Sequence, residues 1–150
     1  MLTLKLKSDK KELKKLLKNI KSKDKLQVGI INAGKAVDSD LTVATIGAIH
    51  EFGSATRGIP ERSFIRETLF TKQKDIQTMV SKQAGKAIED EQPLNKTLGI
   101  IGEFTKGLIQ ESFTNNNWQS LKQSTIDAKG SSKPLIDTGQ LRQSITWKVL

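Results

Sequence analysis

The chain has 150 residues, a net charge of +9, 35% hydrophobic and 5% aromatic residues, and no cysteine. This length is enough for a buried core, and we expect residues 1–150 to form a single domain. The lack of cysteine excludes disulfides and thiolate metal ligands. No run approaches the roughly 18 apolar residues of a membrane-spanning helix, so we expect no membrane partner.

The positive charge is concentrated at the start of the chain. Residues 1–25 contain ten lysines and three acidic residues, whereas the other 125 residues contain fifteen basic and thirteen acidic ones. Within this Lys-rich segment, leucines alternate with polar residues at positions 2–6, which predicts a short strand. Residues 9–21 place leucines on one face and lysines on the other, which predicts an amphipathic helix. The helix either covers a sheet with its leucines, which we favour, or binds a membrane surface or nucleic-acid phosphates with its lysines.

A second strand and a helix follow. Residues 26–31 are mostly apolar and β-branched, and they predict a strand that lies beside residues 2–6. The next helix is expected to extend to Phe52. Ser39 or Asp40 is its predicted N-cap, because a short polar side chain can accept a hydrogen bond from a first-turn amide.

The central loop begins at Gly53, which is placed to end the helix in a left-handed conformation. Gly58 supplies a second permissive position, and Pro60 favours an extended residue before it. We predict that Phe64 anchors this loop in the core and that the neighbouring arginines point outward. These arginines are Arg57, Arg62 and Arg66.

The second half of the chain is predicted to be mostly helical. One long helix covers roughly residues 67–90 and a second covers residues 94–113, so the two are expected to form an antiparallel pair. Their interior glycines indicate close packing, a kink or mobility, because each costs about 1 kcal/mol relative to alanine. A short helix at 122–129 and a strand at 145–149 complete the elements. The expected fold class is α+β, with a small mixed or antiparallel sheet of the three strands packed against several helices.

Two separated stretches carry a family resemblance. The first is His-Glu-Phe-Gly at 50–53 with Ile-Pro-Glu-Arg-Ser-Phe at 59–64, and the second is Leu-Ile-Asp-Thr-Gly-Gln-Leu-Arg-Gln-Ser-Ile at 135–145, preceded by Trp118. In this order they resemble the tail-completion and head-to-tail joining proteins of tailed bacteriophages, also called virion morphogenesis proteins. The chain departs from that pattern at Ser63, where the family often has proline, and in its Lys-rich segment.

The resemblance implies a virion structural protein of the neck or tail end. Copies of it would form a ring around the DNA channel that completes the tail or joins it to the head. Other neck, connector or tail proteins would be its partners, and DNA would pass through without sequence-specific binding. It would be located in the virion, and in the cytoplasm of the bacterial host during assembly. The alternative suggested by the charge is a basic nucleic-acid-binding module that uses the Lys-rich helix.

No reaction centre is recognisable, and we expect no enzyme activity, cofactor or metal. His50 is the single histidine, and a His-Glu-x-x-His zinc site would need a second one, so a capping or packing role is expected. Asp137 begins the Asp-Thr-Gly triplet of aspartic proteases, but the sequence continues into a helical pattern, so helix capping by Asp137 or Thr138 is expected.

Arginine and aromatic residues near the two stretches are the best candidates for subunit contacts. Arginine pairs with carboxylates in a planar, two-pronged geometry and is frequent at interfaces. The expected subunit-interface residues are Arg57, Arg62, Phe64, Arg66 and Arg142.

Overall fold

The computed structural model describes residues 23–37, 39–90, 92–115, 118–130, 135 and 139–150. The strand predicted at 2–6, the helix predicted at 9–21 and the caps predicted at Asp137 and Thr138 lie outside these residues. The described residues form two strands and six α-helices, so the expected α+β class is confirmed.

The elements follow the predicted order. They are β1 (Leu26–Ile30), α1 (Val43–Phe52), α2 (Arg66–Thr71), α3 (Gln73–Glu89), α4 (Leu94–Asn115), α5 (Gln123–Lys129), α6 (Gln140–Gln143) and β2 (Ile145–Val149). The predicted helical pair is confirmed, since α3 packs against α4. The stretch predicted as one helix over 67–90 is two helices, α2 and α3, because the chain leaves helical geometry at Lys72 (φ −98°, ψ 14°).

The N-cap of α1 is Thr42, so the prediction of Ser39 or Asp40 is wrong. The Thr42 hydroxyl accepts a hydrogen bond from the Thr45 amide at 3.1 Å. The Ser39 hydroxyl instead accepts from the Leu41 amide at 3.1 Å, within the turn that precedes the helix. The helix therefore starts later than the polar cluster suggested.

The two strands form an antiparallel sheet that joins the two ends of the described chain. Leu26 pairs with Val149, and Val28 pairs with Trp147. Directly opposed residues share one face of a sheet, so the apolar side chains at these positions form a common surface. That surface packs against α4, which contacts both strands.

Close packing explains two of the interior glycines of α4. A Cβ atom at Gly102 would lie 2.8 Å from Cγ of Trp147, and one at Gly99 would lie 3.1 Å from Cη2 of the same ring. At Gly85 and Gly107 the corresponding position has no neighbouring atom within 4 Å. Packing against the indole therefore accounts for Gly99 and Gly102, and packing does not explain Gly107 of α4 or Gly85 of α3.

The core lies between α1, α4, α6 and β2. Phe64 and Ile109 are completely buried, and the rings of Phe64 and Phe113 are 4.8 Å apart at an angle of 56°. This tilted arrangement is a favourable one for aromatic pairs. The prediction that Phe64 anchors the central loop is confirmed. The core is completed by Val43, Leu135, Leu141 and Ile145. Within the described ranges, no helix is both long and apolar enough to cross a bilayer.

Candidate subunit interface

The central loop is a tight, closed turn. The Ser54 and Ile59 backbones exchange hydrogen bonds of 2.8 and 3.0 Å, which close the loop at its base. Gly53 has φ 71°, and a Cβ there would lie 2.9 Å from the Glu61 amide nitrogen. Gly58, at the end of the turn, is left-handed (φ 60°, ψ 29°). Glycine is therefore required at the base of the loop for both conformation and space.

A buried carboxylate, Glu51, joins the end of α1 to the start of α2. Only 5% of Glu51 is exposed. Its Oε1 accepts from the Ser63 hydroxyl at 2.8 Å and from the Arg66 amide at 2.9 Å, while Oε2 accepts from the Ile65 amide at 2.9 Å. The first amides of a helix have no partner within the helix, so Glu51 satisfies the N-terminus of α2 from another element.

Arg66 completes this arrangement from the solvent side. Its Nε donates to Glu51 Oε1 at 3.1 Å, and its Nη2 donates to the Glu51 carbonyl at 2.9 Å and to Glu61 Oε1 at 2.8 Å. Its guanidinium carbon lies 4.5 Å from the centre of the Phe52 ring. The Arg66 side chain remains 53% exposed. A half-exposed arginine is therefore held in one orientation over an aromatic ring.

Two exposed phenylalanines lie near Arg66, Phe52 beneath its guanidinium and Phe70 one turn further along α2. Phe52 is 63% exposed and Phe70 is 81% exposed, in a chain with five phenylalanines. Phe70 follows Arg66 by four positions on α2, so the two side chains lie on the same face of that helix. We call Phe52, Arg66 and Phe70 the aromatic patch. Exposed aromatic residues around an arginine have the composition of protein–protein contact centres.

The structure places two of the candidate interface residues inside the folded chain. Arg62 is 3% exposed, and its Nη2 donates to the Gln119 carbonyl at 3.2 Å. Burial also lowers the pKa of the Arg62 guanidinium below its ordinary value. The prediction that Arg62 points outward is wrong, because the loop turns this side chain under the segment after Trp118. Phe64 is completely buried as well, so neither residue offers surface for a contact with another chain.

The other candidates remain at the surface but are not all brought together. Arg57 is exposed in the short 3-10 turn of the central loop. Arg142 is exposed on α6, where its Nε donates to the Gln110 carbonyl at 3.1 Å and its own carbonyl accepts from Gln110 Nε2 at 3.1 Å. Arg142 therefore links α6 to α4. Among the described residues, no hydrogen bond or ion pair connects it to Arg57 or Arg66.

A cleft of about 250 Å³ lies on another side of α1. The two stretches that carry the resemblance meet here, since His50 comes from the first stretch and Leu141 from the second. We call it the α1–α6 cleft. Its walls include Val43, Ile46, His50, Thr125, Leu135 and Leu141. Three of these residues, Val43, Leu135 and Leu141, also belong to the core, so the cleft is an extension of the core to the surface.

The sequence interpretation missed Glu51, Phe52 and Phe70. The signal at Glu51 was an acidic residue at the C-terminal end of a helix, where a carboxylate is unfavourable unless it is bound elsewhere. In the part of the chain that the structure describes, no three acidic or histidine side chains are grouped to hold a metal ion. Comparisons with protein-family models, curated proteins and solved structures give no match.

Proposed function

We propose that this chain is a structural subunit of the neck or tail end of a tailed bacteriophage. Copies of it form a ring around the DNA channel and complete the tail or join it to the head. The aromatic patch is the observation that carries the proposal, because large exposed aromatic side chains beside a fixed arginine favour burial against a partner. The sequence resemblance supplies the identity of the assembly.

The rigidity of the patch supports a role in assembly. Arg66 donates three side-chain hydrogen bonds to its own subunit, so little of its side-chain freedom is left to lose on association. A surface that is ordered before binding avoids a cost of about 0.5–1.5 kcal/mol for each long side chain that would otherwise be immobilised. The buried carboxylate of Glu51 thus prepares a contact surface.

The two resembling stretches have structural tasks that fit a non-enzymatic role. In the first stretch, Glu51 accepts a hydrogen bond from the Ser63 hydroxyl, and Phe64 is buried in the core. In the second, Leu135 and Leu141 are buried in the same core. The stretches therefore position surfaces, and the partners in this proposal are further copies of the chain and other neck, connector or tail proteins of the virion.

The proposal is tested in particles. Purified virions should contain this polypeptide at the neck or tail end, and particles assembled without it should show separate heads and tails or unfinished tails by negative-stain electron microscopy. The wild-type chain supplied in trans should restore joined particles. A Phe52→Ser, Phe70→Ser double variant should not restore them, whereas Ile88→Ser, at a residue of α3 that is 61% exposed, should. Finding no copy of the chain in purified particles would refute the proposal.

The concentration of lysines at the start of the chain favours nucleic-acid binding as a second candidate function. Residues 1–25 hold ten of the 25 basic residues. If this were the main role, neutralising the lysines would abolish function while the aromatic-patch variant remained active. The two candidates therefore predict opposite results for the same pair of variants.

A further inference from the structure

We draw no further inference here: the strongest candidate, the α1–α6 cleft, is an extension of the core to the surface, and nothing in the part of the chain that the structure describes shows what covers it.

Discussion

Replacement of Glu51 tests whether one buried carboxylate holds the central loop and α2 in place. Glu51→Ala leaves two backbone amides and the Ser63 hydroxyl without their acceptor, because these donors point at the carboxylate from 2.8 to 2.9 Å. A buried polar group left unsatisfied costs about 1–3 kcal/mol. The ion pair with half-exposed Arg66 adds under about 1 kcal/mol, since water screens it. Partial relaxation of the loop reduces the total, and we expect a loss of about 3 kcal/mol in the free energy of unfolding.

Glu51→Gln separates the oxygen acceptors from the charge. The amide oxygen can take the place of Oε1 and keep the Ser63 and Arg66 donors, but the amide nitrogen then faces the Ile65 N–H, which also donates. One hydrogen bond is lost and one donor then faces another. We therefore expect Glu51→Gln to lower the free energy of unfolding by about 1–2 kcal/mol, which is less than the loss expected for Glu51→Ala.

Urea unfolding followed by circular dichroism measures these differences. Glu89→Gln, which removes the same charge from an exposed position on α3, is the control and should change stability by less than about 0.5 kcal/mol. Glu51 does not hold the loop in this way if Glu51→Ala stays within about 0.5 kcal/mol of the wild type, or if Glu51→Gln lowers the free energy of unfolding as much as Glu51→Ala does. Either result would mean that the number of oxygen acceptors at this point does not determine the stability.

Three further predictions concern the rest of the chain. Gly102→Ala should destabilise the fold by about 1–3 kcal/mol through overpacking, because its Cβ would lie 2.8 Å from the Trp147 ring. Gly107→Ala on the same helix has no such neighbour and should stabilise the fold by up to about 1 kcal/mol. The two variants are compared by their midpoints of urea unfolding. The Trp147 indole N–H and Lys106 lower the pKa of Glu103, so their contribution to stability is present above the ordinary carboxyl pKa and lost as the pH falls through the lowered one. Glu103 is exposed, so this loss should be under about 1 kcal/mol, and Glu103→Gln should remove it from the pH dependence of unfolding. Replacing half of the lysines in the Lys-rich segment with glutamine should remove salt-sensitive DNA affinity, measured by fluorescence anisotropy, and leave ring assembly unchanged.

The positions of the two described strands and of α4 could be predicted because their signals are local. Residues 26–31 and 145–149 have strand patterns within themselves, and the apolar repeat of α4 spans several turns. The anchoring of Phe64 was predictable for a related reason, since a large apolar side chain between two arginines is the one that gains most from burial. Elements of this kind need no information about distant parts of the chain.

The candidate interface was predicted only in part because its geometry depends on contacts between distant residues. Arg62 and Arg66 are the same residue type four positions apart, yet one is buried beneath Gln119 and the other is held at the surface by Glu51. The sequence around each arginine gives no sign of this difference. Phe70 lies on a six-residue helix, which is too short for periodicity to separate an exposed aromatic side chain from a buried one.

The pairing of β1 with β2 has a consequence for the order of folding. Leu26 and Val149 are partners, although nearly the whole described chain separates them. Closing so long a segment has a high entropic cost, which is reduced once the intervening helices have collapsed. We therefore expect the sheet to become fixed late in folding. We also expect a force applied to Lys25 and Leu150 to separate the two strands before the helices unfold, since these residues exchange backbone hydrogen bonds at the edge of the sheet.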